Sequence, residues 1–108
     1  MGFTVDEKTE ITTVGVTLDN VYYTLGKRCG VEGFLNGQGV KRYRIIGHYA
    51  IYVSRDAYIN SVQPIDKGNY IKVELDTLTN KEPMKELYIE LKSQLGFTDL
   101  NTTNYLDD

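Results

Sequence analysis

The chain has 108 residues, 15 acidic and 12 basic, with a formal net charge of −3, and 41% of its residues are hydrophobic. That length holds one modest core and the composition excludes wholesale disorder. The negative balance argues against a dedicated nucleic-acid binder, whose affinity rests on Lys and Arg neutralising phosphates. A single cysteine, Cys29, excludes an internal disulfide. No run reaches the length of a membrane span, and no basic-then-apolar leader is recognisable, so neither membrane nor secretion is expected.

Nine tyrosines, no tryptophan and two prolines lean the chain toward strands. Met1 to Glu10 is polar and acidic and reads as a loose arm or a first edge strand. From Ile11 the alternation is of period two, with Val14, Val16 and Leu18 on one face and Thr13, Gly15 and Thr17 on the other. Asp19-Asn20 suits a tight turn. Val21, Tyr23 and Leu25 resume the alternation, so the two runs predict a hairpin. Gly26 to Gly39 holds five of the ten glycines and reads as turns and bulges. Within it, Val31, Phe34 and Leu35 form a short strand before an Asn36-Gly37 turn of type I′. Lys41 to Val53 is a long strand with apolar residues on both faces, hence central, and Gly47 suggests a bulge or bend.

Ser54 to Tyr58 predicts a helical turn capped by Ser54. Asp66-Lys67-Gly68 reads as a turn leading to a strand over Asn69 to Leu75, with Ile71, Val73 and Leu75 inward. A helix over about 83–95 follows. Pro83 suits its first turn, and Met84, Leu87, Tyr88, Leu91 and Leu95 draw one apolar stripe. Gly96 stands where a left-handed C-cap is wanted, with Phe97 folding back. The stripe predicts Met84, Leu87, Leu91 and Leu95 buried, and Lys85, Glu86 and Lys92 in water. Residues 98–108 read as a polar tail. The expected fold is therefore a single small β-rich domain: mainly β (α+β), an antiparallel sandwich or barrel-like sheet with one C-terminal helix.

Chemistry is sparse in the pattern. His48 is the only histidine, and its pairing with Cys29 carries no signature of a catalytic dyad. Gly26-Lys27-Arg28-Cys29-Gly30 lacks the spacing and the Ser or Thr of a phosphate-binding loop. No cluster of His, Cys or carboxylates has workable metal spacing. The expectation is thus no enzyme, no metal and no cofactor. Charge is uneven: Lys27, Arg28, Lys41, Arg42 and Arg44 make the centre basic, and both ends are acidic.

In the second half, Tyr49-Ala50-Ile51-Tyr52-Val53-Ser54-Arg55-Asp56-Ala57 leads to Gln63-Pro64-Ile65, then a strand, then Glu86-Leu87-Tyr88-Ile89-Glu90-Leu91-Lys92, and finally Leu106-Asp107-Asp108. This series, over roughly the last sixty residues, resembles small virion structural proteins of tailed bacteriophages. It departs from them in having Asn60-Ser61-Val62 where a glycine-containing turn is usual. The resemblance implies a place in a capsid, neck, tail or baseplate of a virion, synthesis in the host cytoplasm, and partners that are copies of itself and neighbouring virion proteins. The interface residues expected are Arg42 and Arg44 for their charge and Leu100, Tyr105 and Leu106 as apolar residues in a polar tail, with the acidic tail of one copy facing the basic centre of another. The alternative is a small phage- or mobile-element-encoded inhibitor that binds a host protein through its acidic ends. A hydrolase-like or ligand-binding β-barrel ranks last.

Overall fold

Strands take up just under half of the chain in the computed structural model, which describes residues 1–108. The strands are β1 (Gly2–Val5), β2 (Thr9–Ile11), β3 (Val16–Leu18), β4 (Tyr22–Leu35), β5 (Lys41–Tyr52), β6 (Asp66–Leu75) and β7 (Thr102–Tyr105). Two helices, α1 (Arg55–Ile59) and α2 (Pro83–Gln94), complete the set. Five strands form an antiparallel sheet in the order β6-β5-β4-β1-β7, and β2 with β3 forms a separate hairpin. The chain is mainly β with an α2 cover, as its alternation and its one apolar stripe predict.

One face of the sheet carries α2. Leu87 and Leu91 are fully buried there among Phe3, Tyr23, Ile45, Ile51 and Ile71. Burying each leucine is worth roughly 1.5–3 kcal/mol. Phe3 stacks on Tyr23 at 5.2 Å between ring centroids and meets Tyr88 and Phe97 edge-on. At the far end of α2, Gly96 takes a φ of 76°. The Phe97 amide donates to the Lys92 carbonyl, and the Gly96 amide to that of Ser93. This Schellman arrangement satisfies two carbonyls the helix leaves open.

The opposite face is capped at one end by α1. Ser54 is its N-cap, with Oγ accepting from the Ala57 amide at 3.1 Å. Beneath it Tyr22 is fully buried against Tyr58 and Tyr105. The Tyr22 ring lies over Gly2, where any Cβ would overlap it.

Several expectations need correction. The first residues are neither an arm nor an edge: Gly2–Val5 is buried inside the sheet, between β4 and β7. Phe3 and Val5 provide the apolar side, which outweighs the acidic residues after them. The alternation from Ile11 breaks at residues 12–15, a turn with Gly15 at φ 71°, so only Val16–Leu18 remains a strand. That strand pairs with β2, so the expected hairpin with residues 21–25 does not form, although Asn20 does take the left-handed conformation expected of the turn.

In the glycine-rich stretch the expected strand at 31–35 and a turn after it are present, but residues 26–30 are not turns: they join that strand to β4, which runs unbroken from Tyr22 to Leu35. Residues 26–28 bulge opposite His48 before pairing resumes at Cys29 and Gly47. The following turn has its positive φ at Gly39, not at Asn36-Gly37. Gly37 to Gly39 form a three-residue loop, with Asn36 Oδ1 accepting from the Gln38 and Val40 amides. Asp66-Lys67-Gly68 belongs to β6, with Gly68 at φ 81° in a bulge opposite Ala50. Gly47 itself stays in register on both sides.

Candidate interaction surface

Two arginines on the outer half of the β4–β5 hairpin are paired within the chain. Cross-strand pairing sets Arg44 between Glu32 on β4 and Glu74 on β6. Its guanidinium binds them at 2.8 and 3.3 Å and lies 4.4 Å over the Phe34 ring. Arg42 pairs with Asp76 at 2.7 Å. The hydrogen bonds that Arg44 donates to Glu32 and then to Glu74 raise its pKa. Exposed pairs of this kind add little to stability, because both charges stay hydrated and screened. Of the basic centre, Arg42 and Arg44 are thereby paired with carboxylates on neighbouring strands, which period-two spacing alone did not reveal.

The residues expected to form a free tail are built into the domain instead. β7 pairs with β1 from Gly2/Tyr105 to Val5/Thr102. Two polar clusters fasten it. On the α1 side, Arg55 binds Asp108 through two nitrogens at 3.0 and 3.1 Å and lies 4.0 Å over the Tyr105 ring. The Tyr22 hydroxyl donates to the same carboxylate. Arg55 holds the Asp108 carboxyl below its ordinary pKa, against the opposing effect of burial. On the α2 side, Lys92 binds Asp99 at 2.8 Å and Asn104 at 3.0 Å, and the Tyr88 hydroxyl donates to the same Asn104 oxygen.

Lys92 is therefore buried, not in water, and Glu86 is half-buried beside Lys81. Met84 and Leu95 are half-buried, less covered than the stripe predicts. A signal for Lys92 did exist, since it stands four residues after Tyr88 and one after Leu91, on the flank of the stripe. Asn104 and Arg55 carried none, because their partners are distant in sequence.

Of the five expected interface residues, Arg42 and Arg44 lie on the hairpin and Tyr105 packs within the chain. Leu100 and Leu106 stand out in water at 97% and 58% exposure. They flank β7, which pairs on one side only. The other sheet edge, β6, carries Lys67, Lys72 and the Gly68 bulge, devices that discourage edge pairing. β7, Thr-Thr-Asn-Tyr, has no charge, proline or bulge, and its shortness is its one guard.

Cys29 packs against the core beside Gly47, while exposed His48 points to the opposite face, so the two do not form a dyad. His48 lines an open groove of about 250 Å³ with Lys27, Tyr52 and Tyr58. No group of three or more His, Cys, Asp or Glu side chains is arranged to hold a metal ion. No helix is long and apolar enough to cross a membrane. Comparison of the chain with protein-family models, curated proteins and solved structures returns no match.

Proposed function

We propose that the protein acts through protein–protein contact as a structural component of a tailed-bacteriophage particle, in its capsid, neck, tail or baseplate. The observation that carries this reading is the β7 edge, unguarded by charge or bulge and flanked by exposed Leu100 and Leu106. The likeness of the second half to small virion proteins names the setting. The rival reading, an inhibitor gripping its target through acidic ends, is weakened by Asp99 and Asp108, whose carboxylates are engaged by Lys92 and Arg55.

Peptide mass spectrometry of purified particles from cells that make the protein tests this. A fixed copy number relative to the other particle proteins is the expected result. Its presence in the lysate and absence from particles would favour the inhibitor.

A further inference from the structure

Beside the β7 edge, α2 and the segment after β7 enclose a cleft of about 370 Å³. Its apolar lining includes Ile89, 54% exposed, and Leu106. At one end stand Glu82 and Lys85, both exposed. The ion pairs of α2 join Lys81 to Glu86 and Lys92 to Asp99, and neither Glu82 nor Lys85 has an ionic partner in the chain. Glu82 occupies the N-cap position of α2 without making a cap bond. Lys85 lies in the first turn, where the helix dipole disfavours a positive charge.

We propose that this cleft is the contact with a second copy of the same chain, related by a two-fold axis. A two-fold interface requires a patch complementary to itself, so that residue i meets residue j and j meets i. One apolar centre edged by an unpaired acid and an unpaired base meets that requirement. Glu82 of each copy faces Lys85 of the other. The incoming carboxylate offsets a lysine placed against its own helix dipole and also approaches the positive end of that helix. A partner of single charge sign would leave one of the two groups unmatched.

This pairing rests on the contact reading above and names its first partner. The test is the mass of the full-length protein by light scattering over a dilution series. A dimer is expected for the unaltered chain. Ile89→Asp should give a monomer of unchanged circular dichroism, while Val62→Asp, an exposed apolar position in the segment after α1, should leave the dimer intact.

Glu82→Lys and Lys85→Glu should each weaken the dimer by about tenfold or more, because like charges then face each other twice. Mixing these two variants should restore it as a heterodimer, with both pairs again opposite in sign, and the double swap should restore it within one chain. A monomer at every concentration, a dimer indifferent to Ile89→Asp, or no recovery on mixing would overturn the pairing. A monomer in solution that is nevertheless present in purified particles would sink the pairing and leave the particle reading standing. A charge-dependent dimer absent from particles would do the reverse.

Discussion

Gly47 is a glycine because α2 lies on it: an added Cβ would sit 2.7 Å from Leu87 Cδ1. Gly30, one pair away on β4, has open space around the same position. Gly47→Ala should therefore lower stability by about 1–3 kcal/mol through overpacking. Gly30→Ala should be neutral or slightly stabilising, since alanine gives the unfolded chain less freedom to lose. Urea denaturation midpoints of the two variants make the comparison.

Burial pushes the hydroxyls of Tyr23 and Tyr88 up to about 12, with Tyr49 and Asp66 adding to the first and Asp99 to the second. An unfolded tyrosine ionises near 10. The folded chain keeps these protons when the unfolded one loses them, so their contribution is complete below about pH 10 and is lost as pH rises to about 12. Unfolding free energies from urea curves across that interval should fall, and Tyr88→Phe should flatten the decline.

Local chemistry in the two helices reads directly from sequence, and their ends are the places to test it. Ser54→Ala should cost about 1 kcal/mol by removing the acceptor for the Ala57 amide. Gly96→Ala should cost a similar amount, about 1 kcal/mol, by forcing a Cβ into a φ of 76°. Thermal denaturation of each variant measures both. Lys92 is the case where element-level reasoning stopped short. A lysine on the flank of a stripe is ordinarily in water, and it is buried here because Asp99 and Asn104, in and beside β7, supply acceptors for its ammonium. A paired and hydrogen-bonded charge tolerates burial that an isolated one does not.

At the scale of the molecule, β7 closes over β1, whose four residues are all buried. Deleting residues 98–108 removes that strand, the Asp108 contacts with Arg55 and Tyr22, and the Asn104 contacts with Tyr88 and Lys92. The truncated chain should lose several kcal/mol, a large share of the about 5–15 that hold a domain together. Amide hydrogen exchange in Phe3 to Val5 should accelerate with it. Full native stability in the truncated chain would mean that the residues form a passive tail after all.

The sequence by itself determined the β-rich class, the long strand from Lys41, the strand ending at Leu75, the Ser54 cap and the α2 helix with its glycine stop. Each depends on periodicity or on a side chain reaching its own neighbouring backbone, so the necessary information lies within a few residues. Only the tertiary structure decided that Gly2–Val5 is an inner strand, that residues 26–30 join the strand at 31–35 to β4 through a bulge, and that the last residues form β7. Gly2 and Tyr105, which pair, lie about a hundred residues apart in the chain, whereas residues 29–35 pair with the adjoining strand between Lys41 and Gly47. A glycine-rich or polar run acquires its strand character from the backbone hydrogen bonds such a partner offers, and these leave no trace in local spacing.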